Sequence, residues 1–515
     1  CHTPPCCYII ICDTRVIQTT LLTRQLTHPS SFEVVRFHLS STDAGFHVRS
    51  SKTGYAVKQT GMLLPIAPHK PLPDPPAEFL SITEDPEVVK EQIGFTYHTV
   101  FQDDQLIPGF CLVTTAHKST NGSIDPSPNE EGKRDVWKSW LKLKVPLESN
   151  KVFRKAFIDV DGSARMGRIL ELADGLAADV GYRHALADGY KPGCGVSVAT
   201  ASIDSLLING REFSGSHDIT LTAYVGHIGR SSMEVCVDIE QASTATRAHA
   251  FFMMVARQVV DGRDRARAVP GLLGIPPDLQ MLAEGRLKRR MLLRSGGSFD
   301  HEASAVTLGG ENGSNLQDED LRKLHLLWKQ LYRDRRFPGS TPSDLPVSAL
   351  PDNRRAHVLF KDEQRMALHR LETTLLIWPN EMNVHGTLFG GIVTRTAVEV
   401  GYMTVAQYLH STAWAMLMAV DDVFFLQPIP GGSMTRYIGQ VIYTEGPDVV
   451  VRVECMVVPP NQHPAQWQRG TVFYMHFRWP PAVPKVVPES YEEFLLYMEG
   501  KKRHGQYKPL PNARL

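Results

Sequence analysis

Asn383-Val-His-Gly-Thr-Leu-Phe-Gly-Gly391 places three glycines within six residues, a spacing that lets a backbone turn tightly and approach a ligand where any Cβ would clash. The apolar run after it, from Ile392 to about Leu409, is too long for an ordinary strand. Ile392, Val393, Thr396, Ala397, Val400, Thr404 and Val405 recur there at the three-and-four spacing of one buried helix face. A Gly-rich turn feeding a buried helix gathers free N–H groups and the positive end of a helix dipole at one spot. That spot suits an anion or a developing oxyanion. A Gly-Gly before a helix can also be no more than a tight turn, so its meaning depends on the elements around it.

Four strand-like runs follow the helix: Trp414 to Leu426, Met434 to Thr444, Asp448 to Val458 and Thr471 to Trp479, separated by turn signals at Pro428-Ile-Pro-Gly-Gly432, Gly446-Pro447 and Pro459-Pro-Asn461. The same pattern occurs earlier in weaker form. Asp159-Val-Asp-Gly-Ser-Ala-Arg-Met-Gly167 precedes an expected helix from Arg168 to about Ala187, with Ile169, Leu172, Ala173, Leu176 and Val180 on one face. Strand-like runs come next at Val196 to Ile208, Ile219 to Ile228, Met233 to Ile239 and Ala248 to Gln258. Laying Gly167 on Gly391 puts Gly162 on Gly386 and Asp159 on Asn383, a constant offset of 224 residues. A period that long indicates a duplicated domain, and Ile203-Asp204 and Val420-Asp421 mark comparable points of the two first strands.

At 515 residues the chain should hold at least two domains. Lys plus Arg and Asp plus Glu are each 55, a balance that gives no sign of a nucleic-acid partner. Apolar runs such as Ala413 to Val420 fall short of the ~20 residues that span a bilayer. The cysteines, four of them within residues 1–12, show neither a disulfide framework nor a zinc spacing, so reduced thiols are expected. No metal or cofactor is called for.

The chain starts at Cys1 without Met, so a truncated start is expected. Residues 1–78 read as a disordered leader and Pro-rich linker, and the Arg-bearing, Ser-rich, acid-poor stretch to about 60 has the composition of a transit peptide. A short extension is expected over 79–134, one repeat over 135–261, a linker with helices over 262–355, the second repeat over 356–485, and a C-terminal helix and tail over 486–515. In the linker, Asp278 is the expected N-cap of a basic helix near Leu279 to Leu293, and Leu316 to Arg333 reads as amphipathic. Lys288-Arg-Arg290 reads either as a solvated helix face or as a contact for ligand phosphates. Tyr491 to Gly500 reads as a helix stopped by its glycine.

One long helix followed by an antiparallel sheet, with Asn-x-x-Gly-x-x-Phe-Gly-Gly at the helix start, resembles the hot-dog fold. Arg168-Ile-Leu-Glu-Leu-Ala-Asp174, Gly229-Arg-Ser-Ser-Met-Glu-Val235, Phe252-Met-Met-Val-Ala-Arg257, Phe389-Gly-Gly391, Val420-Asp-Asp-Val423 and Leu495-Leu-Tyr-Met-Glu-Gly500 are similar to the mitochondrial acyl-CoA thioesterase 9 group over roughly residues 135 to 505. The resemblance implies an α+β chain of two tandem hot-dog domains paired as a pseudo-dimer, hydrolysing fatty acyl-CoA in the mitochondrial matrix. It also implies a homo-oligomer, a trimer of tandem chains being the expected form.

Similar enzymes use a carboxylate on one central helix and an Asn before the Gly pair of the neighbouring copy. Carried over by position, the carboxylate is Asp174 in the first copy, where the second has Val398. The Asn is Asn383 in the second copy, where the first has Asp159. The resemblance therefore implies one composite site, with Asp174 as general base or nucleophile, Asn383 orienting water or the thioester, and the N–H groups near Gly390 and Gly391 as oxyanion hole. His385, Gly386, Phe389, Arg168 and Arg395 are the substrate-binding candidates. Arg230 is a further candidate for the CoA moiety.

Three alternatives stay open. Asp174 could be a solvent-facing helix carboxylate. His385 and Glu399 have the fourteen-residue spacing of hot-dog hydroxyacyl dehydratases, although Thr387-Leu-Phe389 replaces the Pro-rich loop of those enzymes. Finally, the chain could be an acyl-CoA-binding scaffold without activity.

Overall fold

The computed structural model describes, apart from short gaps and a few isolated positions, residues 70–75, 80–96, 110–115, 132–295 and 363–506, and strand residues between 9 and 57. The amphipathic segment expected at Leu316 to Arg333 lies outside the described residues, Leu326 excepted.

The strands over Ile9–Asp13, Val16–Thr23, Glu33–Thr42, Gly45–Ser50 and Ala56–Val57 pair in chain order as an antiparallel meander within a first unit made of residues 1–65 and 289–300. A disordered leader was the expectation for this stretch. Ile9-Ile-Ile-Cys12, Val16-Ile17 and Val34-Val35 are rich in β-branched residues, which suits extended pairing.

The second unit contains both repeats. Its main sheet runs through β1 (Leu80–Thr83), β2 (Cys111–Thr115), β3 (Leu141–Val145), β4 (Val196–Asn209), β5 (Ile219–Ile228), β6 (Ser232–Gln241), β7 (Thr246–Val260), β8 (Arg370–Leu376), β9 (Met416–Val420), β10 (Val423–Phe424), β11 (Met434–Glu445), β12 (Asp448–Val458) and β13 (Gln468–Arg478). The spatial order from one edge is β8-β11-β12-β13-β9-β4-β7-β6-β5-β3-β2-β1, with β10 also against β4. Without the two outer strands the order is a palindrome, β3-β5-β6-β7-β4 meeting β9-β13-β12-β11-β8. Each half inserts one long helix at the same point, α1 (Met166–Leu186) between β3 and β4 and α3 (Gly390–Leu409) between β8 and β9. This is the tandem hot-dog pseudo-dimer. The halves join where Leu206 and Leu207 of β4 pair antiparallel with Val420 and Ala419 of β9.

Both central helices are largely apolar because each packs on its own sheet and on the other helix, although α3 keeps an open face with Glu399 half-buried and Met403 exposed. In α1, Ile169, Leu170, Leu172, Ala173, Leu176, Ala177, Ala178 and Val180 are all buried. The outer faces of the sheet halves are covered by residues 277–288 of α2 (Pro277–Ser295) and by α4 (Tyr491–Gln506). Arg286 of α2 lies over the Phe251 ring and pairs with buried Glu234, whereas Arg503 of α4 lies over Tyr474 and pairs with buried Asp421.

Several boundaries differ from the sequence reading. The helix at 491 continues to Gln506 through Gly500. A Cβ there would lie 2.7 Å from Tyr443 Cβ, so this glycine permits close packing on β11 and is not a stop. The linker helix begins at Pro277, which puts Asp278 in its first turn instead of at its cap. One run at 414–426 resolves into β9 and β10. The extension adds β1 and β2 to the sheet. Strands β3 and β8 carried little sequence signal, since β3 has only five residues and β8 is an edge strand with Leu375 and Leu376 exposed.

Candidate active site

Helices α1 and α3 lie against one another near the first turn of α3. A Cβ on Gly390 would lie 3.1 Å from Asp174 Oδ2, and one on Gly391 would lie 3.1 Å from Glu171 Cα and 2.4 Å from Phe389 Cε1. The Gly pair is therefore needed for the approach of the two helices. It brings the second repeat's helix start directly onto the Asp174 carboxyl of the first.

Asp174 is fully buried. Its Oδ1 accepts a hydrogen bond from Thr200 Oγ1 of β4 at 2.6 Å. Its Oδ2, beside Gly390, makes no well-formed hydrogen bond among the described residues, and the carboxyl faces the Gly391 N–H. Burial raises the carboxyl pKa to about 7; the Thr200 hydroxyl and the Gly391 N–H oppose the rise, and the charge of Glu171 adds to it. A buried carboxylate without well-formed hydrogen bonds to both oxygens is costly, and such groups concentrate at functional sites. The solvent-facing alternative for Asp174 is thus excluded.

Asn383 holds its own loop. Its side-chain Oδ1 accepts from the N–H groups of His385 (2.9 Å) and Thr387 (3.3 Å) and from Thr387 Oγ1 (3.2 Å). Gly386 closes the turn at φ +72°. His385 Nε2 lies 3.0 Å from the Tyr182 hydroxyl of α1, and that hydroxyl accepts the Val198 N–H, leaving its proton for the imidazole. Phe389 is buried and meets Phe95 edge-on, with ring centroids 5.9 Å apart.

Arg168 and Arg395, both substrate-binding candidates, meet at one carboxylate. Glu171, buried between the helices, accepts from Arg168 Nη1 at 2.6 Å and from Arg395 Nη1 through both oxygens, at 3.0 and 2.8 Å. Arg395 thereby ties α3 to α1, and Arg168 supports the same carboxylate from within α1.

The opposite half-site is different in kind. Buried Val398 stands at the carboxylate position, and Glu399 pairs with Arg165 at 2.6 Å. A cavity of about 370 Å³ opens there, lined by residues that include Asp159, Arg165, Glu399, Tyr402 and Met403. His385 and Glu399 therefore engage different partners at the two half-sites, and the pairing needed for a dehydratase is not formed.

Thr200 was missed in the sequence reading. A single Thr in a strand has no signal until its carboxylate partner is in place. The same holds for Tyr182 and for Phe95, whose segment precedes the repeat.

No family model matches the chain. Acyl-coenzyme A thioesterase 9, mitochondrial, of Bos taurus is 26% identical over 373 residues, spanning 72% of this chain and 78% of that protein. The Homo sapiens protein of the same name is 25% identical over 433 residues, 82% and 91% of the two chains. Among solved structures, an acyl-CoA hydrolase from Staphylococcus aureus in complex with butyryl coenzyme A aligns to 28% of this chain and 89% of its own at 23% identity, with a TM-score of 0.26.

Proposed function

Starting from a chain that is a mitochondrial acyl-CoA thioesterase 9-like acyl-CoA hydrolase, we propose that it works through one composite site, made by Asp174 and Thr200 of the first repeat and the 383–391 turn of the second. The observation that carries this reading is the buried Asp174 carboxyl, with one oxygen held by Thr200 and the other beside Gly390 at the start of α3.

Asp174 Oδ2 takes a proton from water as the water oxygen bonds to the thioester carbonyl carbon. Negative charge builds on the carbonyl oxygen, and N–H groups at the start of α3 stabilise it. Collapse of the tetrahedral intermediate breaks the C–S bond, and the proton held on Asp174 passes to the departing thiolate. A carboxyl poised near neutral pH serves both transfers. Thr200 fixes the carboxyl rotamer, and Asn383 fixes the shape of the turn. The half-site with Val398 has no such base and is inactive in this scheme.

The substrate is acyl-CoA, and among the described residues no helix is long and apolar enough to cross a membrane. The names of the relatives and the composition of the first 60 residues support a mitochondrial location, in the matrix, and a homo-oligomeric assembly of tandem chains completes the proposal. The test is release of free CoA thiol from a panel of acyl-CoA chain lengths. Steady turnover is expected. Binding of acyl-CoA without thiol release would leave the scaffold reading in its place.

A further inference from the structure

Residues 94–96, outside both repeats, form a short helical turn that sits on α1 beside the composite site. Buried Asp179 accepts hydrogen bonds from the Phe95 N–H at 2.9 Å, the Thr96 N–H at 3.0 Å and the Thr96 hydroxyl. Thr96 also covers Gly175, the neighbour of Asp174: a Cβ on that glycine would lie 3.0 Å from Thr96 Oγ1. The Phe95 ring is buried against three others, Tyr182 at 5.5 Å, Tyr190 at 5.8 Å and Phe389 at 5.9 Å between centroids. Phe389 and Tyr182 are themselves parts of the site, the one leading into Gly390 and the other touching His385. Phe95 thus closes an aromatic wall shared by both repeats.

The other half of the molecule is an internal control. The offset of 224 residues sets Gly175 and Asp179 on Glu399 and Met403. Those two positions line the open cavity of about 370 Å³, and Met403 is exposed. The repeat therefore folds with this face of its central helix uncovered. Only the face beside the carboxylate is covered, by a segment whose backbone and side chain are both bound to it.

We propose that the Phe95–Thr96 turn is the end wall of the acyl pocket and sets the length of acyl chain the enzyme accepts. The inference rests on the composite-site reading above. An apolar chain is recognised by apolar contact, and one methylene too many against a fixed wall is discriminated by about tenfold or more. Asp179 is the anchor that fixes the wall, and Phe95 is the surface the chain meets.

The experiment is the kcat/KM profile over saturated acyl-CoA chain lengths for wild type, Phe95→Leu, Phe95→Trp and Thr96→Val, each shown to be folded by circular dichroism. Phe95→Leu keeps an apolar side chain at this buried position, and should raise kcat/KM for chains longer than the wild-type optimum, relative to that optimum, by about tenfold. Phe95→Trp should move the optimum to shorter chains. Thr96→Val removes one of the three bonds to Asp179, and should broaden the profile with KM changing more than kcat. A uniform fall at every chain length, or a profile that neither Phe95 variant moves, overturns the proposal. Asp174→Asn separates this from failure of the site itself: undiminished hydrolysis there, with a profile still moved by Phe95, would keep the wall and discard the base.

Discussion

Asp174 shows how far a residue can be read before its surroundings are known. Its position seven residues after Gly167 matches a family pattern, but neither its burial nor Thr200 is visible in the sequence. The ordering of events with pH follows from the structure. The folded carboxyl titrates near 7, well above the ordinary value of 3.8, because burial penalises its charge. As a base it must be ionised, so kcat/KM should rise with pH through about 7 and then level off. Thr200→Val removes a bond that favours the ionised form, and should displace that midpoint to higher pH. A profile flat from pH 5 to 9 would contradict this. The stability consequence has the opposite sense. A folded-state pKa raised above its unfolded value contributes stability that is complete below about 4 and lost as pH rises through about 7. Asp174→Asn should therefore be more stable than wild type at pH 8, by thermal or urea unfolding, with the difference shrinking towards pH 4. Such a gain is the usual trade between a strained site and stability.

At the scale of elements, the two central helices and most of the strands after them were legible, because three-and-four and alternating periodicities run through Ile392–Val405 and Val449–Val457. What was not legible depends on partners distant in sequence. The Gly390–Gly391 pair reads as a turn, yet its requirement comes from Glu171 and Asp174 of another helix. Gly500 reads as a stop and is a packing contact. Gly391→Ala should thus act as overpacking, costing about 1–3 kcal/mol in unfolding free energy, and should also lower turnover by displacing the N–H that faces Asp174. Equal stability and full activity would show that α3 can slide away from α1 without consequence. Arg168 and Arg395 show what residue type alone leaves out. Both were substrate-binding candidates by type, and the buried Glu171 that pairs with them is visible only in the fold.

At the scale of the whole molecule, the duplication was legible from the constant offset, but the asymmetry it conceals was only half so. Asp159 for Asn and Val398 for a carboxylate were visible. The open cavity at one half-site and the Phe95–Thr96 cover at the other were not. Glu171 holds the halves together across the pseudo-dimer, its side chain 1% exposed while Arg168 and Arg395 are 15% and 23% exposed. Glu171→Ala should destabilise the chain by about 3 kcal/mol, the low end for breaking a buried ion pair, since both arginines can still reach water. Unchanged urea unfolding would contradict that role. The central claim is that this two-domain chain has one hydrolytic centre, with its base on α1 of the first repeat and its turn from the second. Steady-state thiol release by a folded Asp174→Asn variant tests it most directly. The account predicts a fall of about two orders of magnitude or more in kcat, the scale of losing a positioned acid/base group. Hydrolysis at the wild-type rate by the folded variant would contradict it.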